Sequence, residues 1–336
     1  MRAVVYSTHA WERPFLEAAS LSAGHALTYF AESLHMDTAP LAEGFPAVCV
    51  FANDRVDATV LRRLLAGGTQ LVCLRSVGFN HVDLEAADTL GMTVLRVPAY
   101  SPYAVAEHTI GLLLSVNRKL HRAYARVREH NFALDGLLGF DLHGRTVGVI
   151  GTGRIGTVVV RILRGFGCEV LVSDPQRNAE VEALGARYVD LADLWPACDV
   201  VTLHCPLTPG TRHLVDADAI DAMRDGVVLL NTSRGAVVDS RALLAGLKSG
   251  KIGAVGLDVY EEEGDLFFRD LSEAVLQDDV FARLLTFPNV LVTGHQAFFT
   301  REAVTAIATT TMANLSGFEG GNIDLANRVT AAAIRP

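Results

Sequence analysis

The chain has 336 residues, enough for two domains of ordinary size. Half of them are hydrophobic, so a sizeable core is within reach and a globally disordered chain is excluded. The formal charge of −9 argues against a nucleic-acid partner, whose phosphates select a basic surface, although one local arginine can still serve an anionic substrate.

The opening Met1-Arg-Ala-Val-Val-Tyr-Ser7 runs straight into a strand-like segment and lacks the apolar centre of a signal peptide. No stretch approaches the ~20 apolar residues of a membrane span. Four β-rich runs follow, at 3–6, 47–51, 71–75 and 93–97, separated by helix-like stretches such as 58–65. Pro98 and Pro102 then break the chain. From Ala104 to about His130 the pattern reads as one long helix, with Ile110, Leu113, Leu114 and Val116 on its apolar face. A second alternating series has strands at 146–150, 169–173, 200–204, 227–231, 253–258 and 289–293. Each is a short apolar run, as in a parallel sheet covered on both faces. The tail from about Arg301 reads as one more helix. Five widely spaced cysteines (Cys49, Cys73, Cys168, Cys198, Cys205) form no Cys-x-x-Cys pair, which predicts reduced thiols in the cytoplasm and argues against a metal centre.

The second series opens on Gly151-Thr152-Gly153-Arg154-Ile155-Gly156, placed directly after a strand and before a helix expected over 155–166. The first glycine permits a tight turn, the second lets the backbone approach a pyrophosphate, and the third allows close helix–strand packing. The helix N-terminus adds amide donors and a favourable dipole. Asp174 stands eighteen positions beyond Gly156, at the end of the next strand. A carboxylate there accepts from both ribose hydroxyls and repels a 2′-phosphate, which predicts NAD over NADP, with Arg177 nearby as a countervailing charge. A lone glycine pattern marks a turn; strand, glycines, helix, strand and acid in order mark a dinucleotide site.

Four polar residues stand where strands of the second series should end: Arg234, Asp258, Glu263 and His295. Ligands of open α/β sheets bind beyond those ends. Hydride transfer to a 2-keto acid needs a cation for the substrate carboxylate, and a two-pronged guanidinium suits it. The carbonyl oxygen needs a proton donor that titrates near neutrality, which is histidine. That histidine needs a carboxylate neighbour to orient it and favour its charged form. Arg234, His295 and Glu263 fit these roles. Singly each is ordinary: an arginine is usually a surface charge, a histidine a satisfied structural residue, and Glu261-Glu262-Glu263 a solvated loop. What singles out His295 among eleven histidines is its place after the apolar run 290–293.

With these residues in view, the chain resembles the D-isomer-specific 2-hydroxyacid dehydrogenases over nearly its whole length, and within them the fermentative D-lactate dehydrogenases of bacteria. The resemblance is carried by Arg75-Ser-Val-Gly-Phe-Asn80, Val97-Pro-Ala-Tyr-Ser-Pro102, the Gly151 motif, His204-Cys-Pro-Leu-Thr208, Asn231-Thr-Ser-Arg-Gly235, Gly256-Leu-Asp-Val-Tyr260 and Gly294-His-Gln-Ala-Phe298. It implies that Arg234 binds the carboxylate and polarises the carbonyl, that Glu263 pairs with the histidine, and that His295 is the acid/base. Asn231 and Asp258 resemble nicotinamide-side contacts, and His204 and Pro206 resemble residues lining the cofactor channel. The Val77 and Gly78 amides resemble a second clamp on the carboxylate. Tyr100 and Phe298 resemble walls of a small pocket for the substrate's C3 group, with core packing as the ordinary alternative. Gly294 stands where many hydroxypyruvate and phosphoglycerate reductases carry proline, and segments 265–268 and 277–281 also resemble the lactate group. His81 departs from that group, which often has asparagine there. The chain stops at Pro336, which leaves no room for a regulatory C-terminal domain.

The expected fold is α/β, with two Rossmann-like doubly wound parallel-sheet domains and an interdomain cleft. Residues 1–100 and 299–336 would form the substrate domain and 101–298 the NAD-binding domain, with the crossings near Tyr100 and Phe298 as hinge. The expected activity is reduction of pyruvate to D-lactate by NADH. Bulkier 2-keto acids are the alternative, and an NAD-sensing binding protein the remote one, since the fold and triad also occur in transcriptional corepressors. The resemblance further implies a homo-oligomer, dimer or tetramer, built on coenzyme domains, with no nucleic-acid or membrane partner.

Overall fold

The computed structural model describes residues 1–333. The chain splits into two compact units, one of Met1–Ser101 with the segment from Phe299 onward, the other Pro102–Phe298. Residues 334–336 of the expected 299–336 segment lie outside the described residues.

The first unit runs β1 (Arg2–Val5), α1 (Arg13–Ala23), β2 (Ala26–Tyr29), β3 (Ala47–Val50), α2 (Ala58–Ala66), β4 (Leu71–Leu74), α3 (Leu84–Thr89) and β5 (Thr93–Leu95). Its strands pair in parallel in the order β2-β1-β3-β4-β5. β3 and β4 are buried throughout, which is why they read as unbroken apolar runs. On one face Val4, Val48 and Val72 meet Val60, Leu61 and Leu64 of α2. On the other, Val5, Cys49 and Cys73 meet Leu16 of α1 and Ala308, Met312 and Leu315 of the chain's last long helix, Arg301–Glu319. Each such side chain contributes about 1.5–3 kcal/mol of burial. β2 was not expected from the sequence: it is a four-residue edge strand with alternating exposure and no strong apolar signal.

The second unit runs α4 (Pro102–Arg118), α5 (Leu120–Arg128), β6 (Thr146–Ile150), α6 (Arg154–Gly165), β7 (Glu169–Ser173), α7 (Ala179–Ala183), β8 (Arg187–Tyr188), α8 (Leu191–Ala197), β9 (Val200–Leu203), α9 (Ala217–Ala222), β10 (Val227–Asn231), α10 (Ser240–Ser249), β11 (Ile252–Leu257), α11 (Asp279–Leu284) and β12 (Val290–Val292). Its seven parallel strands take the order β12-β11-β10-β9-β6-β7-β8. The single helix expected over 104–130 is in fact two. Lys119 adopts a left-handed φ of 52° between α4 and α5, and α5 buries none of its residues, so packing that straightens α4 stops there. Pro102 opens α4 instead of breaking the chain, since at a helix start its missing N–H costs nothing.

Chain order reverses between β6 and β9. The loops leaving those two strands diverge and open a crevice at the carboxyl edge of the sheet. Among the described residues no helix is long and apolar enough to cross a membrane, and no cluster of His, Cys, Asp or Glu could hold a metal ion.

Candidate active site

The glycine loop lies at this reversal. Gly151 has a φ of 94°, and a Cβ there would come within 2.6 Å of the Cys205 nitrogen and the His204 carbonyl carbon. A Cβ on Gly156 would come within 2.0 Å of the Gly151 oxygen. Only glycine fits at either position. Gly153 differs: an added Cβ meets nothing within 4 Å, and no side chain caps the first-turn amides of α6, which Arg154 and Ile155 begin. Those amides are left to an anion.

Asp174 follows β7, its carboxylate accepting from the Thr152 amide at 2.7 Å and the Gln176 amide at 2.8 Å. Ionised carboxylates have about four lone-pair sites, so capacity for ribose hydroxyls remains. Thr152, Gly153, Arg154, Asp174, Arg177 and Asn178 share the lining of a groove of about 650 Å³. Arg177 reaches Glu182 at 3.2 Å and lies over the Tyr188 ring, so its charge is engaged away from Asp174. The open cradle at Gly153 and the acid beyond β7 fit NAD. Asp174→Ala should therefore shrink the preference for NADH over NADPH about tenfold or more, chiefly by weakening NADH binding. A ratio of kcat/KM values for the two cofactors that matched wild type would remove Asp174 from this role.

His204 and Pro206 follow β9. The His204 amide donates to Ile150, its Nε2 shares a hydrogen bond with Thr202 Oγ1 at 2.9 Å, and burial pushes its imidazole down to about 3. It is neutral near pH 7, so it can line a site but cannot trade protons there. Pro206 carries a carbonyl that accepts from Thr211 Oγ1 at 2.6 Å, closing the turn after β9.

Arg234, Glu263 and His295 follow β10, β11 and β12, three neighbouring strands. Asn231, buried at the end of β10, shapes the arginine loop: its Oδ1 accepts from the Ser233 amide at 3.0 Å and the Ser233 hydroxyl at 2.8 Å, and its Nδ2 donates to the Arg234 carbonyl at 2.9 Å. The Arg234 guanidinium donates to the Ser233 carbonyl at 2.6 Å. Asp258 does the same for the histidine loop, accepting from Thr293 Oγ1, from the Gln296 amide at 2.9 Å and from the Ala297 amide at 2.8 Å. The His295 amide donates to the Asp258 carbonyl at 2.8 Å, and His295 holds a left-handed φ of 52°, a strained backbone for a non-glycine residue.

Glu263 ties its two oxygens to different groups: one accepts from the Tyr260 amide at 3.0 Å, the other meets His295 Nδ1 at 2.9 Å. With Nδ1 turned to the carboxylate, Nε2 is the ring nitrogen left to exchange a proton. The two side chains remain 25% and 21% exposed, so the pair is reachable. The Phe268 ring lies 5.6 Å from the imidazole.

Two contributors escaped the sequence reading. His108, on α4, bonds Thr293 Oγ1 at 3.0 Å and lies 3.4 Å from Asp258; nothing in a helical pattern marks it. Gly235 is pressed against the loop beyond β11, where a Cβ would fall 2.0 Å from the Tyr260 carbonyl group. Its one signal was a glycine beside the candidate arginine.

Of the remaining candidates, Phe298 is buried at the end of the second unit, while Val77, Gly78 and Tyr100 belong to the first. The Val77 carbonyl accepts from Arg96 and the Gly78 carbonyl from Ser76 Oγ, whereas the amides of both have no acceptor among the described residues.

The family profile of the D-isomer specific 2-hydroxyacid dehydrogenase NAD binding domain matches residues 110–297. The chain belongs to this family. The dehydrogenase is 53% identical over 325 residues to 2-hydroxyacid dehydrogenase homolog 1 of Schizosaccharomyces pombe, covering 96% of this chain and 98% of that one. It is 51% identical over 321 residues to the D-lactate dehydrogenase of Escherichia coli, covering 96% and 98%. The apo-structure of D-lactate dehydrogenase from Escherichia coli superposes with a TM-score of 0.89 and 48% identity, covering 98% of this chain and 100% of that one. It is an NAD-dependent D-2-hydroxyacid dehydrogenase.

Proposed function

We propose that this dehydrogenase reduces pyruvate to D-lactate, reversibly. What carries the reading is the His295 Nδ1–Glu263 bond, which leaves Nε2 as a proton donor at the end of β12, with the end of β11 between it and the end of β10 that carries Arg234. When bound, NADH supplies the hydride. Arg234 pairs with the substrate carboxylate and polarises the carbonyl, His295 passes its Nε2 proton to the carbonyl oxygen, and Glu263 stabilises the imidazolium. Asn231 and Asp258 hold the loops of that machinery and border the nicotinamide side. Arg154 and Ile155 serve the pyrophosphate, and His204 and Pro206 line the channel. The first unit is the substrate domain, whose Val77 and Gly78 amides, without an acceptor among the described residues, are donors for a substrate carboxylate. A panel of 2-keto acids assayed with NADH and NADPH tests the whole reading; no turnover of any of them would leave a binding protein.

The family resemblance assigns Phe298 to the wall of a small pocket for the substrate's C3 group, so pyruvate should outrun phenylpyruvate. Phe298→Ala should narrow that gap by about 10-fold or more, since a collision is relieved and one substrate's fit is lost. Unchanged ranking would make Phe298 a packing residue only. The likeness to the Escherichia coli enzyme supports lactate as the product.

A homo-oligomer on the coenzyme unit is supported by Leu120, Tyr124, Val127, Phe132, Leu134 and Leu138, apolar side chains exposed on α5 and the loop after it. Sedimentation distinguishes dimer from tetramer. A cytoplasmic location is supported by five buried, free cysteines, which suit a reducing compartment.

A further inference from the structure

His213 touches both halves of the catalytic machinery without belonging to either. Its amide donates to the Ala236 carbonyl at 2.8 Å, two residues beyond Arg234. Its Nε2 meets Glu261 Oε1 at 2.6 Å, two residues before Glu263. It makes both contacts from a left-handed backbone, φ 51°, a conformation that persists in a non-glycine residue only where the surroundings enforce it. The next residues continue the attachment: the Val215 amide donates to Val237 and the Asp239 amide to Val215.

Glu261 is gripped from three sides. Besides His213, the Arg212 guanidinium lies 3.4 Å from its Oε1, and the Ser240 amide at the start of α10 donates to its Oε2 at 3.4 Å. Asp239 faces His213 Nδ1 at 3.9 Å. Behind Glu261, the Tyr260 hydroxyl donates to Asp278 at 2.8 Å and the Tyr260–Glu261 peptide lies against Gly235. Glu263 hangs from this same peptide run, because its own position is set by the Tyr260 amide that it accepts from.

We infer that Glu261 and His213 are positioning residues: together they fix the spacing between the loop that carries Arg234 and the turn that carries Glu263. The inference rests on the reading of Arg234 and Glu263 above. It concerns geometry, so an acceptor of the same shape should serve in place of the charge. Neither residue touches the substrate; they act through Arg234 and Glu263.

The test compares Glu261→Ala, Glu261→Gln, His213→Ala and His213→Gln in the full-length enzyme, with pyruvate kinetics, NADH binding and the pH profile of reduction. Glu261→Ala should lower kcat/KM for pyruvate by about 10–100-fold, through kcat and KM together, because displacements near 1 Å cost that much. NADH affinity should hold. Glu261→Gln can still accept from the Ser240 amide with its carbonyl oxygen and turn its NH2 to donate to a neutral His213 Nε2, so it should recover most of the loss, and His213→Gln should recover most of the loss seen in His213→Ala. In a Glu263→Gln background the effect of Glu261→Ala on kcat should shrink, since it acts through Glu263. A folded Glu261→Ala enzyme with wild-type kinetics overturns the inference. So does a Gln variant as impaired as the Ala variant, or full additivity with Glu263→Gln. Should Glu261→Ala fail to fold, the His213 pair decides by the same criteria. If Glu263→Gln alone left kcat unchanged, the catalytic reading itself would have failed, which the Glu261 and His213 variants cannot mimic.

Discussion

His295→Ala should lower kcat for pyruvate reduction by about 10²–10⁴-fold, the range of a positioned general acid, while NADH binding stays close to wild type. The separation follows from where the residues lie. His295 and Glu263 stand on the ends of β12 and β11, whereas the glycine loop and Asp174 follow β6 and β7. Reduction needs the imidazole protonated and oxidation needs it neutral, so the two directions should show opposite pH dependence, with pyruvate reduction falling at alkaline pH. The Glu263 oxygen 2.9 Å from Nδ1 stabilises the positive ring. Glu263→Gln keeps the shape and hydrogen bond but removes that charge, so kcat for reduction should fall. His204 cannot substitute as the acid, because burial keeps it neutral near pH 7. Parallel pH–rate profiles in both directions check the role of the proton, and an unchanged kcat in Glu263→Gln would separate Glu263 from the histidine.

Gly235→Ala should cost about 10²-fold in kcat/KM for pyruvate, although residue 235 carries no chemistry of its own. The added methyl would lie 2.0 Å from the Tyr260 carbon and oxygen and 2.4 Å from the Glu261 nitrogen. All three are backbone atoms, so no side chain can swing aside. The loops leaving β10 and β11 must part, and Arg234 moves away from Glu263. Overpacking of this kind costs about 1–3 kcal/mol, so the melting temperature should fall as well. Arg234→Ala makes the comparison: it should raise KM sharply and lower kcat, because the carboxylate is held in both ground and transition states. A Gly235→Ala enzyme with wild-type kinetics would mean that the two loops need no fixed separation.

The central strands of both sheets were legible because residues buried on both faces must be apolar throughout, as at 147–150 and 227–230. Edge strands bury less and signal less: β2 alternates half-exposed residues and β8 has two. The break at Lys119 was hidden because α5 carries a helical pattern of its own, and only the lack of a buried residue on α5 distinguishes the two. At the site, glycines and strand-end residues could be read because their chemistry depends on chain position. His108, His213 and Glu261 could not, since their partners lie far off in sequence. Asn231 and Asp258 could be picked out by their place at strand ends, but not the extent to which their polar atoms are engaged in holding loops.

The first unit is discontinuous, and this has a consequence during synthesis. One face of its sheet is completed by Ala308, Met312 and Leu315, which a ribosome adds only after the whole of Pro102–Phe298. At about 5–20 residues per second, the nascent sheet waits some tens of seconds with that face covered only in part, by α1, while the second unit emerges as one uninterrupted stretch and can fold on its own schedule. Chains released near residue 298 would carry a finished coenzyme unit tethered to a sheet with an open apolar side, the kind of species that chaperones retain and that aggregates when they do not.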